Sequence, residues 1–142
     1  MSGAGHLAMA AEREIVERHV FFERWFAGCL GEVDYREAIS AFDAGFARID
    51  PAGAVQDLAG LGAMLRGARG RFPSGFSISV DTFAPLWERE DAVLMSYAEH
   101  QRHEGRATSR RAAALFLKDA DAPHGVAWRF VQETWINDRP GM

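Results

Sequence analysis

The hydrophobic period of the chain changes near its middle. From Ala8 to Leu30, the residues Ile15, Phe22, Phe26 and Cys29 recur at helical spacing and Val16, Val20 and Leu30 widen the stripe. That pattern predicts a long amphipathic helix, with Glu14 and Arg18 forming an i,i+4 pair on the opposite side. Gly31 ends it, and Asp34 followed by Glu37 marks the start of a second helix with the stripe Tyr35, Ala38, Ile39, Phe42 and Phe46. A shorter third helix over 54–68 carries Val55, Leu58, Leu61 and Leu65, and GARGRFPSG after it reads as a loop. Beyond Gly75 the period becomes two. Strands are predicted over 76–84, 92–101, 108–118 and 126–136, joined by the turns HEGR and DADAPHG. Helices followed by strands give an α+β domain over residues 9–138, an antiparallel sheet wrapped against three N-terminal helices, behind a loose tail of residues 1–8.

The strands are apolar on both faces. Val93, Met95 and Tyr97 alternate with Leu94, Ser96 and Ala98; Val131 and Trp135 alternate with Trp128, Phe130 and Ile136. A sheet with one face in water shows polar residues there, so three helices on one face leave the other to a second subunit. The expectation is a homodimer through the outer face, built on Leu94, Phe116, Trp128 and Phe130.

Composition narrows the classes. The 142 residues are 48% hydrophobic and 25% charged with a formal charge of −4, which fits one core and argues against a nucleic-acid surface. No run approaches the roughly 18 apolar residues of a membrane helix, so no membrane partner is expected, and a cytoplasmic location fits the lone cysteine. Cys29, in WFAGCL, reads as a small buried hydrophobe. His100 and His103 look metal-like on paper, but three residues apart on a strand they point to opposite faces, so neither a metal nor a cofactor is expected. The serines lack a nucleophile-elbow context and Cys29 lacks a histidine partner, which removes support for covalent catalysis.

The segments IDPAG, VLMSYAEHQRHEGRATSRRAAALFLKD and WRFVQETWI, in this order behind a long first helix, resemble the nuclear-transport-factor-two-like superfamily in its SnoaL-like and ketosteroid-isomerase-like branches. The resemblance spans about residues 8–137 and implies a cone-shaped α+β domain, a pocket between helices and concave sheet, and commonly a dimer. Ketosteroid isomerases carry their catalytic base in a D-P-x-G turn, which Asp50-Pro51-Ala52-Gly53 matches. By the same residues Asp50 is also a plain turn former, being followed by Pro and then Gly. The family's helix-borne tyrosine has no counterpart in HVFFERWF, and His19 stands as a substitute donor.

The family's usual strand orientation turns Val131, Glu133 and Trp135 inward with Arg111, Ala113, Leu115, Tyr97 and Glu99, and turns Trp128, Phe130 and Gln132 outward. The expected lining is then Phe22, Phe46, Tyr97, Glu99, Arg111, Glu133 and Trp135, with Arg111 paired to one or both carboxylates, either as a structural ion cluster or as a ligand handle. Asp50 is expected at the pocket wall. Two functions remain open: a small-molecule-binding SnoaL-like protein, of isomerase, cyclase or dehydratase type, acting on an organic carbonyl compound by acid–base chemistry; or a non-enzymatic dimeric accessory domain. A cavity of a few hundred cubic ångströms would favour the first, and one filled by Phe22, Phe42, Phe46 and Trp135 the second.

Overall fold

Leu7, Ala11, Ile15 and His19 recur every fourth position of one helix, α1 (His6–Phe26), and go into the core with Phe21 and Trp25. The chain is described by a computed structural model covering residues 5–136. Because α1 begins at His6 and buries Leu7, residues 6–8 belong to the helix and not to a tail; residues 1–4 lie outside the described residues. The stripe is rotated from the expected one. Val16 and Val20 face solvent, while Glu14 and Arg18, expected outside, are buried. They survive there because Arg18 forks onto both Glu14 oxygens at 2.7 and 2.9 Å and the Trp128 indole N–H donates to the same carboxylate at 2.8 Å. Cys29, expected to be buried, is exposed.

The second helix, α2 (Glu32–Ile39), starts with the Asp34 carboxylate accepting the Gly31 N–H at 2.9 Å. It ends sooner than its stripe suggested, since Phe42 and Phe46 lie on strand β1 (Phe42–Ile49). A spacing of four is also an even spacing, so the pair shares one face of a strand as readily as of a helix. The third helix is likewise shorter. Val55 opens strand β2 (Val55–Asp57), and α3 (Leu58–Ala68) follows with Asp57 accepting the Gly60 N–H at 2.8 Å as its N-cap.

Four longer strands complete the sheet: β3 (Phe76–Glu88), β4 (Ala92–His103), β5 (Arg106–Lys118) and β6 (Val126–Trp135). The order is β2-β1-β6-β5-β4-β3 in a curled, unclosed sheet. It is mixed and not wholly antiparallel, because β1 enters parallel to β6. The α+β class holds. α1 packs against β3, β4 and β6, and α3 against β1 and β2, so both cover the concave side.

Two local features fix which side chains face that concavity. The β4–β5 hairpin closes on Glu104-Gly105, both at positive φ (53° and 79°), and pairs His103 with Arg106. A two-residue turn of this kind aligns Glu99 with Arg110, not Arg111. In β6, Phe116 pairs with Trp128 and Leu115 with Phe130, leaving Arg129 as an extra residue. This bulge lets Trp128 and Val131, of opposite parity, both point inward.

Candidate functional site

Under the two helices lies a cavity of about 100 Å³, or about 600 Å³ of empty space with its solvent-open mouth included. Six expected residues line it: His19 and Phe22 from α1, Phe46 from β1, Tyr97 and Glu99 from β4, and Glu133 from β6. Arg111 does not. It is exposed beside Ala98 and Thr134 on the convex face, and Arg110 takes the inward place. Ala112, Ala114 and Phe116 are the buried residues of β5 where Ala113 and Leu115 were expected. Trp128 faces inward, contrary to expectation, whereas Phe130 and Gln132 do not line the cavity. Trp135 sits beyond the cavity with 42% of its surface exposed, and its ring carries the Arg110 guanidinium at 4.9 Å.

The polar groups form two clusters. In the first, His19 Nδ1 lies 2.7 Å from the Ile15 carbonyl and Nε2 lies 3.1 Å from Glu99 Oε1. A carbonyl only accepts, so Nδ1 carries a proton, and the Glu99 carboxylate beside Nε2 favours a second proton there, an arrangement that suits an imidazolium. Burial works against that charge, but the Glu99 carboxylate outweighs it and raises His19 above its ordinary value. Burial would likewise raise Glu99, yet His19, Arg110 and the Gln101 amide, 2.6 Å from Oε2, bring it down to about 2. In the second cluster, Arg48 Nη2 and Arg110 Nη1 both donate to Glu133 Oε1, at 2.8 and 3.1 Å. Among the described residues, Glu133 Oε2 accepts no hydrogen bond.

Tyr97 lines the same cavity and differs from both clusters in one respect. Its hydroxyl makes no hydrogen bond among the described residues, although the side chain is 1% exposed and lines the cavity. Burial, reinforced by Glu99 and Glu133, pushes its ionisation well above the ordinary value of 10, so it remains a donor.

Asp50 is placed differently from the expected pocket wall. It does not line the cavity; its Oδ1 accepts the N–H groups of Ala52 and Ala54, each at 2.9 Å, while Gly53 N–H donates to its carbonyl at 2.9 Å. Those contacts, the Ala54 one first, hold its carboxyl below the usual range. The geometry is that of a turn residue.

Arg48, Arg110 and Gln101 were missed as site residues, as were the apolar liners Phe26, Leu61, Met64, Leu65 and Ile78. Arg48 was within reach, since it follows Phe46 by two in FARID. Arg110 required the hairpin register. On the convex face His100 reaches Asp81 at 3.0 Å and Ser109 at 2.7 Å, and no group of three potential metal ligands occurs among the described residues. No described helix is long and apolar enough to cross a membrane.

No protein-family model and no curated protein matches this sequence. Solved structures do. An NTF-2-like protein of unknown function from Pseudomonas aeruginosa is 27% identical, with 90% of this chain and 99% of that one covered at a TM-score of 0.82. A protein of unknown function with a cystatin-like fold from Nostoc punctiforme is 16% identical over 92% and 95% of the two chains, with a TM-score of 0.64. A ketosteroid isomerase-like protein from Erwinia carotovora atroseptica is 10% identical over 89% and 93%, with a TM-score of 0.61. The chain therefore has the NTF2-like fold, and these likenesses speak to the fold alone.

Proposed function

We propose that the protein binds a small organic carbonyl compound in this cavity and acts on it by acid–base chemistry, as a SnoaL-like isomerase, cyclase or dehydratase. One observation carries the reading: Tyr97 and Glu133 line the same cavity, and among the described residues neither the Tyr97 hydroxyl nor Glu133 Oε2 has a hydrogen-bond partner. Oε2 would take a proton from the carbon beside the carbonyl. The Tyr97 O–H would donate to the oxygen on which negative charge develops, and the proton would return to the product from Glu133. His19 spends both N–H groups on Ile15 and Glu99, so it holds Glu99 and does not serve as the oxyanion donor. The base is then Glu133 in place of Asp50. Tyr97→Phe should slow turnover by about 100-fold, and Asp50→Asn should leave it unchanged.

The test is exchange of α-protons for solvent deuterium in small ketones such as butanone, followed by proton NMR with wild type, Tyr97→Phe and Asp50→Asn. Exchange no faster than buffer with the wild type would remove the acid–base reading. The accessory-domain reading is favoured by the volume, since about 100 Å³ is below the several hundred of typical ligand sites. A cytoplasmic homodimer, joined through the convex sheet face, belongs to either reading.

A further inference from the structure

The charges lining the cavity do not cancel. Three cationic groups (His19, Arg48 and Arg110) face two carboxylates, Glu99 and Glu133, which leaves one positive charge. Arg48 and Arg110 share a single oxygen of Glu133, and Arg110 Nε is buried with no hydrogen-bond partner among the described residues. These guanidiniums are short of acceptors as well as of charge. Asp50 acts on Arg48 through space, but its carboxylate lies outside the cavity and is held by the turn. A surplus of charge on a largely buried cavity lining is costly and is relieved by a counter-charge of matching shape.

We propose that the ligand of this cavity is a small aliphatic monocarboxylate, whose carboxylate is drawn by the Arg48–Arg110 pair and whose chain lies along Phe22, Phe26 and Ile78. Planar guanidinium is suited to a carboxylate, and one negative charge brings the lining to neutrality. Size agrees. A cavity of about 150 Å³ holds a benzene ring, so about 100 Å³ takes roughly four or five non-hydrogen atoms, with longer chains reaching into the mouth. This assignment rests on the small-ligand reading above and narrows it to an oxo acid where turnover occurs.

The two ideas separate by experiment. Butyrate, butyramide and butanone have similar shapes and differ in charge, and their binding to the full chain is read by ligand-observed NMR or calorimetry. Butyrate should bind at least tenfold more tightly than butyramide. Arg48→Gln should lose at least tenfold in butyrate affinity, while Arg111→Gln on the convex face should match wild type. Glu133→Gln removes a competing carboxylate and should tighten butyrate several-fold, even though the acid–base reading requires the same variant to lose turnover. Equal affinity for butyrate and butyramide, unchanged butyrate affinity in Arg48→Gln, or weaker butyrate binding in a folded Glu133→Gln would each overturn the carboxylate assignment. If butanone exchanges its α-protons but butyrate does not bind, the carboxylate assignment falls and the acid–base reading stands. If butyrate binds and no ketone exchanges, the carboxylate assignment stands alone.

Discussion

At the scale of single residues, the His19–Glu99 pair predicts a pH dependence of stability. Glu99 is held at about 2 against an ordinary 4.5, so its contribution is complete above about pH 4.5 and is lost as acid carries the solution down towards pH 2. His19 is raised above 6.5, so its contribution is complete below that value and is lost as the pH climbs through the raised one. Both contribute fully between about pH 4.5 and 6.5. The difference in melting temperature between wild type and Glu99→Gln should be widest in that window, corresponding to about 3 kcal/mol for a broken buried pair, and should shrink on the alkaline side. A difference that stays constant from about pH 5 to pH 9 would show that His19 is not charged in the native state. Although the family resemblance does not pair them with each other, the pair's two members could be named through it, His19 as the stand-in for the helix-borne tyrosine and Glu99 by the family's strand orientation. Arg110 could not. On a strand, neighbouring residues differ by a whole face, so choosing between Arg110 and Arg111 needs the turn residues Glu104-Gly105 read as a two-residue loop. Asp50 shows the converse case: a matched tetrapeptide fixed the turn, but the carboxylate's two backbone contacts give it a local task that the match alone did not reveal.

Among elements, the long helix and the four long strands were legible because many residues vote on one period. The α2–β1 boundary was not, because Phe42 and Phe46 fit both periods and only the parallel pairing with β6 decides between them. The packing of α3 was not legible either. Gly62 lies inside that helix, where alanine would ordinarily be favourable by up to about 1 kcal/mol. Here a Cβ would stand 2.6 Å from the Tyr35 hydroxyl oxygen. Tyr35 has little room to yield, since its ring is buried, lies 5.5 Å from Trp25 and is covered by the Arg66 guanidinium at 3.9 Å. Trp25 is in turn tied to α3 through its indole N–H to the Leu65 carbonyl at 2.5 Å. Gly62→Ala is therefore expected to destabilise by about 1–2 kcal/mol despite its helix propensity. Combining it with Tyr35→Phe, which removes the obstructing oxygen, should recover most of the loss in thermal denaturation. A stabilised single variant would show that the helix rides clear of Tyr35.

For the whole molecule, the convex face of the sheet is the feature that no helix of the described residues is seen to cover. Trp87, Leu94, Leu115 and Phe130 are successive register partners across β3, β4, β5 and β6, and so form one apolar row on that face. The row differs from the one anticipated, because Phe116 and Trp128 turned out to be core residues at 0% and 3% exposure. The reason for expecting a partner survives the exchange, since a contiguous apolar row across four strands is the kind of patch that marks an interaction site. Edge-to-edge association is an unsuitable alternative. β2 has three residues, and β3 carries Pro85 and two register shifts along its paired length, which are devices that blunt a sheet edge. Face-to-face pairing about a two-fold axis needs neither edge and would bring the same row of each copy together. Sedimentation at about 10 µM should accordingly give a dimer, within the range where an interface of about 800 Å² per partner is stable. Phe130→Glu should give a folded monomer, because a carboxylate in the row would be buried in the interface without a partner. Phe130 points away from the cavity, so ligand binding in that variant should follow the wild type unless dimerisation itself shapes the cavity walls. A wild type that sediments as a monomer at this concentration would leave the row as surface and remove the dimer from both readings of function.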